Sequence, residues 1–302
     1  CDTCIFLGDW HHNRASLNVS TLNYTVSNIG FLSEAFKHVY LIMGNHDLYY
    51  REKREINSVP FANLWDNVTI VNDNTLKKDD VAIVPWLVGD EWKKLQKLKV
   101  RYVFGHFELP HFKMNAMIEM PDQGGLKANH LSGPEYVFSG HFHKRQNQGN
   151  VWYIGNAFPH NYADAGDDER GAMFLEWGGK PEFAPWPDAP KYKTLSLSQI
   201  LDDPDKHLSP KTYCRVTLDI NITYEEANFI KETFITKYKL RDIALIPYQQ
   251  EEHAQDWQQE GEIEFESVNQ IVLKQIQNID SEVIDNNLLI DIYNRLDTDK
   301  EC

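Results

Sequence analysis

The 302-residue sequence predicts an α/β layered fold. Short apolar, β-branched runs recur through the first 175 residues, and each stops at a Gly followed by a polar side chain. The runs show little alternation of apolar and polar positions, the pattern of parallel strands buried on both faces. Between the first two, Leu22, Val26, Ile29, Leu32 and Phe36 recur at helical spacing, which predicts a connecting helix.

In order, Thr3–Leu7 runs into Gly8-Asp9, and Val39–Met43 into Gly44-Asn45-His46-Asp47. Val100–Phe104 then gives Gly105-His106, and Tyr136–Ser139 gives Gly140-His141-Phe142-His143. Val81–Val84, Val151–Ile154 and Ala172–Leu175 read as further strands. A glycine at the strand end lets the chain turn without a Cβ clash. The stretch GGKPEFAPWPDAP holds four prolines, so residues 1–177 are expected as one domain and 178–190 as a linker. Residues 191–250 read as a smaller α/β unit. There Thr212–Ile220 and Ile243–Ile246 are strands, and Thr223 with Glu226 is a capping box. The helix it opens carries Ala227, Ile230, Phe234 and Tyr238 on one face. An acidic, Gln-rich linker spans residues 251–266. Two amphipathic helices fill 267–302, one with Val268, Ile271, Val272, Ile276 and Ile279, the other with Ile284, Leu288, Leu289, Ile292, Tyr293 and Leu296.

Composition narrows the function. Of the net charge of −15, a net of −11 falls after Gln250, where 14 acidic residues face 3 basic ones. The first 250 residues are near neutral and make no strongly basic nucleic-acid surface. The longest apolar run lies around Val81–Gly89, far below the ~18–20 residues that span a bilayer, so no membrane segment is expected. Cys1 and Cys4 form a C-x-x-C, but no second pair follows at a zinc-binding distance. With Cys214 and Cys302 they read as reduced cysteines with no shared task.

Asp9, Asn45, His106, His141 and His143 all lie just past strand ends, which gather on one edge in a parallel sheet. Imidazole, carboxylate and amide oxygen are donors for a pair of Mn2+, Fe2+ or Zn2+ ions. A carboxylate such as Asp9 can bridge two ions about 3.5–4 Å apart, a spacing suited to in-line attack on phosphorus. His141 and His143 flank an apolar residue, so in an extended segment they project alike, each available to a different ion.

In this order, GDWHH, GNHD, GHFE and GHFH resemble the motifs of the calcineurin-like metallophosphoesterase superfamily, over about residues 1–175. Within it the chain is most similar to the SbcD-type DNA repair nucleases, and among them to the phage recombination subunits. GDWHH, with His12, stands where protein phosphatases carry GDxVDRG, and GNHD stands in place of GNHE. Residues 153–176, YIGNAFPHNYADAGDDERGAMFLE, are similar to the end of that family's nuclease domain. The resemblance implies a two-sheet sandwich flanked by helices, a small α/β capping domain, and a C-terminal helical tail.

It also implies two divalent metal ions, most of all Mn2+. Asp9 would bridge them, with Asn45, His106 and His141 completing one site and His143 binding the other. His46 would sit against the substrate phosphate, oriented by Asp47, and His12 would help place that phosphate. Arg51, Lys53, Arg54, Lys144 and Arg145 flank these loops, where a phosphate backbone would lie. The family opens with a D-x-H motif that has no counterpart in residues 1–8. An upstream segment is expected to supply it, since the other motifs are intact; without it, one metal site is well formed and the other crippled.

The implied activity is a 3′-to-5′ exonuclease and endonuclease on DNA ends or hairpins. It would work in recombination and double-strand-break repair, as a homodimer with an SbcC-like ATPase docked on the C-terminal helices. The expected location is the cytoplasm of a bacterial or phage-infected cell. Two rivals remain: a phosphoesterase for small phosphodiesters or phosphoproteins, and a DNA-end-binding scaffold without catalysis.

Overall fold

The first 177 residues hold strands β1 (Thr3–Phe6), β2 (His38–Ile42), β3 (Leu48–Tyr50), β4 (Lys53–Asn57), β5 (Val68–Val71), β6 (Leu76–Lys78), β7 (Val81–Val84), β8 (Tyr102–His106), β9 (Tyr136–Gly140), β10 (Gln146–Gln148), β11 (Val151–Tyr153) and β12 (Gly171–Phe174), of which β1, β2, β7, β8, β9, β11 and β12 are the expected apolar runs. Helix α1 (Val19–Ala35) joins β1 to β2. The computed structural model describes residues 1–73, 75–114, 118–247, 276–277 and 285–297.

Two sheets form. The smaller has the order β1–β2–β5 and is parallel throughout. The larger has the order β10–β11–β9–β8–β7–β6, with β11, β9, β8 and β7 parallel and antiparallel strands at both edges. They stack face to face: Ile42 and Val71 of one share a core with Ile83, Phe104 and Phe138 of the other. Side chains alternate across a strand, so Val39 and Leu41 point the other way and pack with Ile29 of α1. The outer face of the larger sheet, with Ala82, Val103, Val137 and Val151, is covered by Phe107, Leu109 and Phe112. The inner strands β7, β8, β9 and β11 and strand β2 are therefore covered on both faces, which is why they read as apolar runs, while the edge strands β6 and β10 are polar.

Asn18 caps α1 by accepting from the Thr21 N–H. Thr25 and Ile29 are buried, and Leu32 and Phe36 pack on the same core. Leu22 and Val26 stay 39% and 41% exposed, so the first half of the expected apolar stripe faces outward.

The proline-rich 178–190 stretch, expected as a linker, contains strand β13 (Glu182–Pro185), paired antiparallel with β12. A two-stranded ribbon has only edge strands, and there Pro185 costs no interior ladder bond. Residues 1–248 form one compact unit. Its last part holds the parallel sheet β14 (Lys191–Ser196), β15 (Thr212–Leu218) and β16 (Asp242–Pro247), with helices α2 (Leu197–Asp202), α3 (Pro204–His207) and α4 (Tyr224–Tyr238). The Thr223–Glu226 capping box opens α4 as expected. Leu197, Ile200, Cys214, Val216 and Ile243 make a separate core there.

In the second unit, residues 249–302, the described helix is Asn286–Asp297. It covers most of the second expected tail helix. Ile284, the 251–266 linker and the first tail helix lie outside the described residues, apart from Ile276 and Gln277. Among the described residues no helix is long and apolar enough to cross a membrane. Cys1, Cys4 and Cys214 are free thiols.

Candidate metal centre

Parallel strands in both sheets end at the same edge, and each delivers one polar side chain there. Asp9 follows β1, Asn45 follows β2, His106 is the last residue of β8, and His141 follows β9. The His106↔Gly140 register sets His141 beside His106. Asp9 and His141 take left-handed backbone conformations, with φ of 58° and 83°. Side chains rarely adopt that geometry, and such strain concentrates at functional sites. Gly44 has no side chain to spare: a Cβ there would run into the Asp9 carboxylate and the His106 ring.

The donors converge closely. His106 Nε2 lies 3.3 Å from Asp9 Oδ2, 3.1 Å from Asn45 Oδ1 and 3.2 Å from His141 Nδ1. His141 Nδ1 is 3.0 Å from Asn45 Oδ1. The outward ring nitrogens fix the tautomers. His106 Nδ1–H donates to the Leu7 carbonyl at 2.7 Å, and His141 Nε2 meets the Glu108 carboxylate at 3.3 Å. When the rings are neutral, both inward nitrogens therefore carry lone pairs. Two lone-pair nitrogens, an amide oxygen and a carboxylate oxygen then face one another with no donor among them. Only a cation or a proton relieves that arrangement, and the N/O donor set fits a divalent transition ion. Asp9, His106 and His141 are the described group whose ligand atoms all lie within 4.8 Å of one another.

Electrostatics agree. Burial works against the Asp9 charge, but His106 and the His46 N–H outweigh it and hold the carboxyl well below the ordinary range. Burial opposes a charged His106, yet Asp9 outweighs it and raises its pKa. Burial lowers His141.

His143 stands outside this group. Its ring is 43% exposed and its Nδ1 lies 3.8 Å from Asp164 Oδ1. Its carbonyl accepts from the buried Arg170 guanidinium. His46 N–H donates to Asp9 Oδ1 at 2.8 Å, and His46 Nδ1–H to the His12 carbonyl at 2.9 Å. That leaves His46 Nε2 for an exchangeable proton. The His12 ring stacks on His46 at 5.2 Å.

Asp47 does not orient His46. Its Oδ2 accepts from the Asp9 and Gly44 N–H groups at 2.7 and 2.9 Å, and its Oδ1 from the His11 N–H at 3.1 Å. Successive residues of the 45–47 turn project apart, and the buried Asp47 carboxylate is used up by backbone donors. It ties the Gly8-Asp9 and Gly44 loops together. Burial and the Asp9 charge push its carboxyl up to about 6, against the pull of the Gly44 and His11 N–H groups. His11 is buried between Ser58 Oγ at 2.8 Å and Thr25 Oγ1 at 2.7 Å.

Three further residues shape the site. Glu108 holds His141 and meets Arg51 at 3.4 Å. The Trp86 ring lies 5.5 Å from His141 and 6.0 Å from His106. Arg170 anchors the His143 loop. Only Glu108 had a signal in the sequence: it sits two residues beyond His106, on the same side of an extended segment. Of the flanking cations, Arg54 is spent on the Trp86 carbonyl and Glu91, and Arg145 pairs with Glu169. Asp2, the one acid before Asp9, is exposed and paired with Lys37.

Comparison with known proteins agrees with this geometry. The chain is 25% identical over 230 residues to exonuclease subunit 1 of Enterobacteria phage T4, covering 68% of this chain and 67% of that protein. Residues 1–145 match the calcineurin-like phosphoesterase family. This segment, the part of the chain that is similar to that family, supplies every strand end of the candidate metal centre.

Proposed function

We propose that the chain is a metal-dependent DNA nuclease. The observation that carries this is the ring of inward lone pairs from Asp9, Asn45, His106 and His141, with the outward ring protons already spent. The phage exonuclease relative supports DNA as the substrate. When bound, divalent ions supply Lewis-acid chemistry, neutralising charge on the phosphoryl oxygens and acidifying the attacking water. Asp9, Asn45, His106 and His141 would hold one ion. Asp9 and His143 would contribute to a second, and Mn2+ suits these donors. Asp47 keeps the Asp9 and Gly44 backbones in register. His46, held by the His12 carbonyl, delivers a proton from Nε2 to the departing sugar oxygen. His12, stacked on His46, helps seat the phosphate.

The expected reactions are 3′-to-5′ exonuclease and endonuclease cleavage. The β14–β15–β16 unit is read as the capping domain. The apolar Leu288 and Ile292 of the tail helix, 57% and 45% exposed, support docking on an SbcC-like ATPase. The outward Val19, Tyr24 and Phe31 of α1, each more than two-thirds exposed, support a homodimer. The test pairs end-labelled duplex and hairpin DNA with bis(p-nitrophenyl) phosphate, each with Mn2+ and with EDTA. Mn2+-dependent DNA cleavage is expected. Hydrolysis of the small diester without DNA cleavage would favour a small-molecule phosphoesterase. DNA binding with no hydrolysis of either would favour a scaffold.

A further inference from the structure

A line of aromatic rings leaves the site at His143. The His160 ring centroid is 5.5 Å from that of His143, Phe158 is 5.2 Å from His160, and Trp186 is 5.8 Å from Phe158. Phe158 and Trp186 stay 39% and 44% exposed. The backbone that carries these exposed rings is anchored. The His160 N–H donates to the buried Asp164 carboxylate at 3.0 Å, and the Trp186 N–H to the Arg170 carbonyl at 2.7 Å. Pro159 between Phe158 and His160 is buried. A backbone ordered before binding loses little conformational freedom when a partner stacks on its side chains.

The surrounding charge admits a polyanion. Asp164 and Asp167 are paired with Arg170, and the exposed Glu169 with Arg145, while Asp168, and Glu182 and Asp188 on either side of Trp186, are exposed acids. Lys144 follows His143 directly and has no carboxylate partner among the described residues. Successive rings meet at 59–81° to one another, so they form no continuous stack and each offers its exposed face separately. A paired duplex offers no base faces to such rings, whereas an unpaired, splayed strand does.

We infer that Phe158 and Trp186 form a stacking ledge for unpaired nucleobases of a strand entering the metal centre. This rests on the nuclease reading and narrows its substrate to single-stranded or frayed DNA. The experiment uses the full chain with Ca2+, so that binding is read without cleavage. Fluorescence anisotropy compares a dT10 oligonucleotide with a decamer of abasic residues. Wild type is expected to prefer dT10 by on the order of tenfold or more. Phe158→Ala/Trp186→Ala should bind both decamers alike, at the abasic level, and Trp186→Phe should keep the preference. Phe158→Leu keeps apolar bulk without a ring, so it remains informative if the double variant misfolds, and it should lose part of the preference. No preference in wild type, or a preference unchanged in Phe158→Leu and the double variant, overturns the ledge. Cleavage of DNA alongside that result would leave the nuclease reading standing. Absence of all DNA cleavage, with bis(p-nitrophenyl) phosphate hydrolysed, would remove the nuclease reading itself.

Discussion

The buried ion pair beneath His143 gives a prediction whose size follows from its surroundings. Arg170 and Asp164 have side chains 1% and 2% exposed, 3.4 Å apart. Arg170 also donates to the His143 and Asp167 carbonyls and lies 3.2 Å from Asp167 Oδ2. Arg170→Met keeps much of the volume but strands Asp164 in a dry site. Leaving a buried charge without its partner costs about 3–5 kcal/mol. In a protein of this size that lowers Tm by roughly 10 °C.

Asp164→Asn is milder, because Asn resembles the protonated acid. Burial alone would raise the Asp164 pKa, but the His143 ring, the His160 N–H and Arg170 together bring it from 3.8 down to about 2. Such a depression is worth about 2 kcal/mol. The folded-state pKa lies below the unfolded one, so this stability is complete above about pH 4 and is lost as pH falls towards 2. Asp164→Asn should therefore cost about 2 kcal/mol at neutral pH and flatten the acid limb of the stability profile. Asp164→Leu/Arg170→Met removes both charges and should be more stable than Arg170→Met alone. Urea unfolding followed by tryptophan fluorescence measures all three variants. A loss below about 0.5 kcal/mol in Arg170→Met, the size of an ordinary surface substitution, would refute the reasoning.

Other perturbations separate the roles at the metal centre. His46→Ala should lower DNA cleavage by about 10²–10⁴-fold while Mn2+ titration calorimetry stays unchanged; loss of metal binding as well would make His46 a structural or ligand residue. Glu108→Ala frees the outward nitrogen of His141 and should weaken Mn2+ binding by about 10–100-fold, and an unchanged isotherm would show that Glu108 does not orient the ring. Burial pushes the Cys214 thiol from 9.0 up to about 11, so the fold favours the protonated form and loses stability as pH rises from 9 to 11. Cys214→Ala should flatten that alkaline decline, and identical alkaline slopes in the two proteins would count against it.

The parts of this molecule legible from sequence are those written in one stretch of chain. The runs ending at Gly8, Gly44, Gly105 and Gly140 could be read because a strand buried on both faces carries no polar alternation. The residue after each Gly then falls at the carboxyl edge, where parallel strands collect their ligands. What sequence hides is made by chain return. Asp47 adjoins His46 in the sequence, which invites a pairing of the two, yet its charge is spent on N–H groups of Asp9 and His11, more than 35 residues away. Arg170 and Asp164 sit in a polar, Asp-rich run that reads as solvated, and only the fold shows them buried against the His143 loop. The proline-rich stretch hides β13 for a similar reason, since an edge strand pairs without interior spacing signals. The metal centre thus has two layers of unequal visibility. Its ligands are fixed by strand termini and show in motifs, as Asp47 and Glu108 do, whereas the buried Arg170 and the partners that Asp47 and Glu108 hold show only in the fold. A variant that spares every motif residue can therefore still disturb the site by unseating Arg170.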